Sequence, residues 1–389
     1  MKLIFASDSF KGSLTSGEII QLLTKAADEV FPGCECCGIP VADGGEGTVN
    51  AVIAATDGSL CLADVHDPLM NPIKAAYGII DGKKAIIEMS AASGLTLVPE
   101  NRRNPLWTTT FGTGELILHA LDQGCRDITV AIGGSATNDG GMGCMKALGV
   151  RFLSADGKEL SGIGSDLAWV NAIDTNGLDR RIKDCHFTVM CDVKNPLCGE
   201  NGAARIFARQ KGASDRDIGQ LESGMKHFRD LIHSLYGIDC DSIPGAGAAG
   251  GLGAALKVFL HADMQSGIET VLHLIHFDEK LQDADLVITG EGCTDIQSVC
   301  GKVMQGVGMH AKKCGIPCIG LSGSLGEGAE KILDYGIDMR TFKVAADEDR
   351  NRSVIRHDFL DISAVVFLSD LTPFIRMSPP CRTEAAPNN

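Results

Sequence analysis

Four segments of the chain combine clustered glycines with polar side chains: Asp43-Gly-Gly-Glu-Gly47, Gly133-Gly-Ser-Ala-Thr-Asn-Asp-Gly-Gly141, Gly245-Ala-Gly-Ala-Ala-Gly-Gly-Leu-Gly253 and Gly290-Glu-Gly-Cys-Thr-Asp295. Glycine lets backbone amides approach an anion closely, and a following helix N-terminus adds favourable partial charge. Together the four predict phosphate handling. The second follows an apolar strand over 128–132 and precedes a helix over 142–148, which is the context of a phosphate cradle in which Ser135, Thr137 and Asn138 donate hydrogen bonds. A tight turn whose glycines serve close helix packing fits that loop equally well. Gly245, Gly247 and Gly250 match a dinucleotide fingerprint with Glu269 near the acidic spacing, but Pro244 and a polar lead-in stand where a strand is required. An Ala/Gly-rich helix start running through Leu252 to Phe259 is the preferred reading there. No G-x-x-x-x-G-K-[ST] run accompanies Gly301-Lys302, and protein-kinase signatures are absent.

Two further segments bear on the same chemistry. Asp8-Ser-Phe-Lys11-Gly follows the first predicted strand directly, at the carboxyl edge where open α/β sheets bind ligands. Asp192 follows an apolar strand over 187–190 and opens Asp-Val-Lys-Asn-Pro-Leu-Cys-Gly, where a turn or capping role is the plainer alternative. Phosphoryl transfer requires cations and amides around the phosphates, Mg2+ held by carboxylates and a base for the attacking hydroxyl. The inventory contains each part.

Composition narrows the partners. The formal net charge of −15 argues against nucleic acid and anionic membranes, both of which bind clustered Lys and Arg, and it singles out basic residues inside acidic loops, Lys11 and Lys302. The 15 cysteines are odd in number, scattered and preceded by no secretory signal, so a reduced cytoplasmic setting is expected. Cys34, Cys36 and Cys37 cluster, but metal binding would need a second Cys/His pair that neighbouring residues do not offer, and ordinary thiols are the expectation.

The elements that must position these loops read as α/β. Residues 2–6 form a buried strand; a capping box of Thr15 with Glu18 opens an amphipathic helix whose Ile19, Leu22, Leu23, Ala26 and Val30 share a face. A second strand is expected over 36–41 and a helix over 48–55. The strand, loop, helix rhythm returns over 285–321, whereas 60–90 reads as antiparallel strands with a hairpin turn at Asp81-Gly82. At 389 residues, two domains are the default. The expected arrangement is a discontinuous Rossmann- or flavodoxin-like parallel-sheet domain over 1–62 and 286–375, an inserted second α/β domain over 63–285, and a disordered tail over 376–389.

Seven ordered motifs carry a resemblance: Asp8-Ser-Phe-Lys-Gly-Ser, Pro40-Val-Ala-Asp-Gly-Gly-Glu-Gly-Thr, Arg103-Asn-Pro-Leu with Thr109-Thr-Phe-Gly-Thr-Gly-Glu-Leu, the 133–141 run, Cys191-Asp-Val-Lys-Asn-Pro-Leu-Cys-Gly, Pro244-Gly-Ala-Gly-Ala-Ala-Gly-Gly-Leu-Gly and Ile288-Thr-Gly-Glu-Gly. Over about residues 1 to 345 the chain resembles class I glycerate kinase. The resemblance implies a discontinuous Rossmann- or flavodoxin-like domain with an inserted domain, an active site between them, and ATP- and Mg2+-dependent phosphorylation of D-glycerate, usually to 2-phosphoglycerate. Where the family has Arg after Gly-Glu-Gly, this chain has Cys293. Beyond about residue 347 the family continues with an apolar, Ala/Arg-rich terminal helix, whereas here residues 350–389 read differently and end in a Pro-rich polar sequence.

On that basis glycerate is assigned to Ser9, Asp43, Gly44 and Glu46 with Lys11, and the ATP phosphates to Gly133, Gly134, Ser135, Thr137, Asn138, Gly250 and Gly251, with Lys302 neutralising charge. Asp192 is the candidate general base, with Asp8 and Lys11 beside it as catalytic residues. Glu291 and Asp295, in competition with Asp8 and Asp43, are the candidate Mg2+ ligands. The partners expected are glycerate and ATP, with a homodimer left open. Two rival classes are an NAD-dependent oxidoreductase, which requires a strand before Gly245, and a non-catalytic sugar-acid sensor on the same fold.

Overall fold

The computed structural model describes residues 1–10 and 13–337. Lys11, the segment 338–375 of the expected first domain, the unusual sequence beyond residue 350 and the tail over 376–389 lie outside the described residues.

The strands are β1 Lys2–Ser7, β2 Glu35–Gly38, β3 Ser59–His66, β4 Pro72–Ile80, β5 Lys84–Glu88, β6 Asp127–Ala131, β7 Arg151–Leu153, β8 Ala172–Asp174, β9 His186–Met190, β10 Asp263–Gln265, β11 Leu286–Glu291 and β12 Cys318–Ser322. Contacts divide the chain into two units: Met1–Asp43 joined by the chain from Ile268 onward, and Gly44–Gly267.

The first unit is a parallel sheet in the order β12-β11-β1-β2. Its central strands β1 and β11 carry the unalternating apolar runs 3–6 and 286–288 and are buried nearly throughout, as strands covered on both faces must be. Leu3, Phe5, Leu286, Ile288 and Ile319 pack against Ile19, Leu22, Leu23, Ala26 and Ala27 of the helix Ser16–Val30. The predicted capping box is present: Thr15 Oγ1 accepts the Glu18 N–H, and Glu18 Oε2 accepts the Thr15 N–H at 2.8 Å. A chain that supplies β1, leaves, and returns to supply β11 and β12 makes this parallel-sheet unit discontinuous and the intervening unit an insertion.

The inserted unit holds a mixed sheet in the order β10-β9-β6-β5-β4-β3, with β3, β4 and β5 antiparallel and β5, β6, β9 and β10 parallel. Asp81 and Gly82 turn between β4 and β5 with φ of 52° and 65°, the left-handed pair that a tight hairpin selects. The core sets Tyr77, Ile87, Ile128, Val130 and Val189 of the sheet in one apolar cluster with Leu116 and Ile117, Phe228, and Leu252 and Leu256 of three helices.

Both unit boundaries fall earlier in the chain than the expected 62/63 and 285/286, and local pairing explains why. β3 pairs along its whole length with β4, and the helix Thr48–Ala55 packs on β4 and β5, so that segment belongs to the inserted unit. Ile268 and Leu272 close over Gly306, where a Cβ would stand 2.4 Å from Ile268, so the stretch after Gly267 belongs with the helix Val303–Lys313.

Candidate active site

In the first unit the chemistry lies at the carboxyl edge of the parallel sheet. Ser7, the last residue of β1, pairs with Gly290, and Glu291 at the end of β11 pairs with Ser322. The loops after β1 and β11 therefore leave side by side. Asp8 N–H donates to Gly290 O at 3.0 Å, and Asp8 Oδ1 accepts the Ser9 N–H at 2.6 Å, which fixes the start of the Asp8-Ser9 loop. Glu291 is 6% exposed and accepts a hydrogen bond from Ser298 Oγ. Burial pushes its carboxyl up, against the opposing pull of Ser298 and the nearby Lys302 ammonium. Asp295 caps the turn Ile296–Val299: its Oδ1 accepts the Gln297 N–H at 2.7 Å, and its own N–H donates to Ser298 Oγ at 3.0 Å. Lys302 immediately precedes the helix Val303–Lys313, and Cys293 is exposed.

In the inserted unit, three loops gather at the carboxyl edge of β5, β6 and β9. Glu88, at the end of β5, accepts the Val49 N–H at 2.7 Å and the Gly47 N–H at 3.4 Å, and so holds the segment that carries Gly44 and Glu46. Burial pushes the Glu88 carboxyl up, and those two amides pull it back. A Cβ on Gly44 would stand 3.2 Å from Met190 Cβ, and one on Gly133 would stand 3.4 Å from the Gly44 carbonyl, so these two loops pack backbone to backbone.

The loop after β6 is exposed at Gly133 and Gly134 and turns inward from Ser135 onward. Leu95 N–H donates to Gly134 O at 2.9 Å, Ala136 N–H to Ser93 O at 2.9 Å and Thr108 Oγ1 to Ala136 O at 3.0 Å. Fully buried Asp139 accepts from Thr110 N–H and Oγ1, both at 2.8 Å, and from the N–H groups of Gly141 and Gly143 at 3.0 and 3.2 Å. Thr137 and Asn138, assigned from sequence as donors facing a phosphate, are instead wholly buried, and Thr137 Oγ1 and both Asn138 amide atoms have no hydrogen-bond partner. Gly250 and Gly251 brace this loop from behind. Gly140 N–H donates to Gly250 O at 2.9 Å, and a Cβ on Gly250 would stand 2.1 Å from Thr137 O. The two glycine-rich runs are thus interlocked. The run at Gly245 follows the turn Cys240–Ser242 rather than a strand and leads into the helix Leu252–Leu260, so the dinucleotide fingerprint lacks its required context.

Asp192, just beyond β9, accepts hydrogen bonds from Ser266 Oγ at 3.1 Å and from Gly267 N–H at 2.9 Å, both through Oδ1. Asp192, Gly133, Gly134 and Gly44 therefore belong to one edge of the inserted sheet, whereas Asp8, Ser9, Glu291, Asp295 and Lys302 belong to one edge of the first unit's sheet.

Two residues escaped the sequence reading. Glu88 was hidden because 60–90 reads as a purely antiparallel run, although β5 also pairs in parallel with β6 and so ends at the ligand-binding edge. Lys211 is 2% exposed and donates from Nζ to Thr137 O at 2.6 Å. A signal for Glu88 was available in its position after the apolar run Ala85-Ile86-Ile87; none was available for Lys211.

A third grouping lies elsewhere. The ligand atoms of Asp28, Cys34 and Cys36 lie within 4.8 Å of one another, although the sequence offered no second Cys/His pair. Burial first, then the Cys34 thiol 3.5 Å away and the Asp28 charge, push the Cys36 thiol up to about 12. Among the described residues no helix is long and apolar enough to cross a membrane.

The profile of the Glycerate kinase family matches residues 3–362. A Glycerate 2-kinase from Escherichia coli K12 is 50% identical over 339 residues, 87% of this chain and 89% of that protein. A Glycerate kinase from Bacillus subtilis 168 is 46% identical over 339 residues, again 87% of this chain and 89% of that protein. A crystal structure from Salmonella typhimurium LT2, assigned by name to glycerate kinase 2, superposes with a TM-score of 0.87 at 40% identity, covering 97% of this chain and all of that one.

Proposed function

Because this chain belongs to the glycerate kinase family, we propose that it phosphorylates D-glycerate with ATP, giving 2-phosphoglycerate by direct in-line transfer. The family membership carries this reading. In the reaction, the glycerate 2-hydroxyl oxygen bonds to the γ-phosphorus as the bond from that phosphorus to the β,γ-bridging oxygen breaks. The hydroxyl proton passes to a carboxylate, and ADP leaves.

Asp192 is our candidate for that carboxylate. Its Oδ1 is already held by Ser266 and Gly267, so its orientation is set before substrate arrives. Gly133 and Gly134, exposed and free of side chains, are suited to presenting amides to phosphate oxygens, with Ser135 beside them. Thr137, Asn138, Gly250 and Gly251 would serve ATP from behind by shaping that loop. Ser9, Asp43, Gly44 and Glu46 are carried over from the resemblance as the glycerate-binding set, and Asp8 as a catalytic carboxylate.

Asp8 and Glu291 fit Mg2+, which prefers hard oxygen donors. Glu291 is a buried carboxylate whose charge burial disfavours, the condition that a bound cation relieves. Mg2+, when bound, would neutralise phosphate charge, with Asp295 contributing its second oxygen and Lys302 adding positive charge. The deciding measurement is ADP release with D-glycerate and MgATP, with phosphorus NMR of the product to locate the new ester. ADP formation with a phosphate on the 2-hydroxyl is the expected result. Glycerate binding without ADP would replace the kinase reading by a sensor.

A further inference from the structure

We propose that Lys211 is a positioning residue for phosphoryl transfer: its ammonium, buried behind the loop 133–141, grips the Thr137 carbonyl and through it sets the backbone that Gly133 and Gly134 present. The inference rests on the reading of that loop as the nucleotide-phosphate cradle.

The lysine is delivered by a short device. It ends the turn Arg209–Lys211, and Gly212 closes that turn with φ of +95°, its N–H donating to Arg209 O at 3.0 Å. A Cβ on Gly212 would stand 2.2 Å from Arg103 O, so the turn is seated against the Arg103 backbone and admits glycine alone. From there the side chain reaches Thr137 O at 2.6 Å. The other side of that carbonyl is closed by Gly250, where a Cβ would stand 2.1 Å from the oxygen. The Thr137 carbonyl thus lies between a lysine ammonium and a side-chain-free backbone, and neither neighbour leaves it room to swing.

This arrangement is expensive for the fold. An ammonium removed from water is among the costliest groups to bury, and a hydrocarbon side chain of the same length would fill the space without that penalty. Burial lowers the Lys211 pKa to about 7, with the Asp139 charge acting in the opposite sense. Asp139 is not its hydrogen-bonded partner, since its oxygens already serve Thr110, Gly141 and Gly143. Next to the gripped carbonyl, Thr137 Oγ1 and both polar atoms of the Asn138 side chain are fully buried and unpartnered. A buried polar set that stability alone would not select is the signature of a site held for function.

The test uses the full-length enzyme and three variants, Lys211→Met, Lys211→Gln and Lys211→Arg, each checked for folding by circular dichroism and thermal melting. ATP binding is measured by titration calorimetry with Mg2+, and KM is measured separately for ATP and for D-glycerate. We expect Lys211→Met to bind ATP at least ten-fold more weakly and to raise KM for ATP to match. KM for glycerate should stay within two-fold, and Lys211→Gln, which keeps an N–H donor without the charge, should recover part of the loss. A folded Lys211→Met enzyme with ATP binding within two-fold of wild type would overturn the proposal, as would an equal rise in both KM values. Failure of all three variants to fold would assign the lysine to the fold alone and overturn it too. Unchanged variants beside an ADP-forming wild type remove only this inference, whereas a wild type that binds no ATP removes the cradle reading and this inference together.

Discussion

Glu88 Oε1 accepts the Val49 N–H at 2.7 Å, so the last residue of a strand in the inserted unit holds the first turn of the helix that follows the Gly44–Glu46 stretch. A carboxylate here does mechanical work on the backbone, and its removal should be read in two places at once. Glu88→Ala strands two partly buried amides, which costs about 1–3 kcal/mol. We expect a lower midpoint in urea together with a fall in kcat/KM for glycerate.

The same carboxyl gives a pH signature. Its folded pKa is raised by burial, so its contribution to stability is present below the unfolded value and is lost as pH rises through the folded one. Relative to Glu88→Gln, the wild type should lose stability as pH climbs out of the ordinary glutamate range. Urea midpoints for the two proteins at a series of pH values from 4 upward check this. Parallel curves would mean that the burial of Glu88 is not felt.

Asp192→Asn separates base from cap. Asparagine keeps an oxygen for Ser266 and the Gly267 N–H, so the melting temperature should move little. Proton abstraction is lost, and general-base contributions are worth roughly 100- to 10,000-fold. We expect kcat to drop within that range with KM for glycerate nearly constant. Undiminished kcat would leave Asp192 as a structural residue only.

Gly250→Ala should be among the most damaging single-methyl additions in the chain. The backbone is left-handed at φ of +67°, and the added carbon meets Thr137 O at 2.1 Å. Left-handed strain costs on the order of 1–3 kcal/mol and overpacking costs about as much again. Thermal unfolding should show a drop of several degrees, and KM for ATP should rise, because the loop behind which Gly250 lies is displaced.

Lys211 carries a stability trend of known sign. Its pKa falls from 10.5 to about 7 on folding, so the unfolded chain binds the extra proton between those values, and stability rises with pH across that window. Compared with Lys211→Met, the wild type should gain stability from pH 7 to pH 10. A flat difference would show the lysine to be solvated.

The sequence made the described strands of the first unit readable and left much of the inserted unit opaque, for physical reasons. Residues 3–6 and 286–288 are continuous apolar runs, which strands buried on both faces favour, and Thr15 with Glu18 is a local cap that needs no distant partner. The Gly133 and Gly250 runs were both visible as glycine clusters. Their interlock was not, because a backbone oxygen filling the space of an absent Cβ is a tertiary fact. Thr137 and Asn138 read as surface donors because short polar residues in a glycine loop usually are; here the loop folds them inward. Lys211 was illegible for the opposite reason. Lysine is nearly always exposed, and the carbonyl that it grips is 74 residues away.

The discontinuous sheet also dictates an order of assembly. Lys2 N–H donates to Asp285 across a separation of 283 residues, and Leu3 must wait for Leu286. At about 5–20 residues per second, ribosomal synthesis leaves β1 without its inner neighbour for roughly 15 to 60 seconds. During that interval the inserted unit, contiguous from Gly44 to Gly267, has emerged entire and can collapse on its own. The newborn chain therefore displays an apolar strand with one edge unpaired until β11 emerges. That strand is the point at which a chaperone, or a second nascent copy, would first engage it.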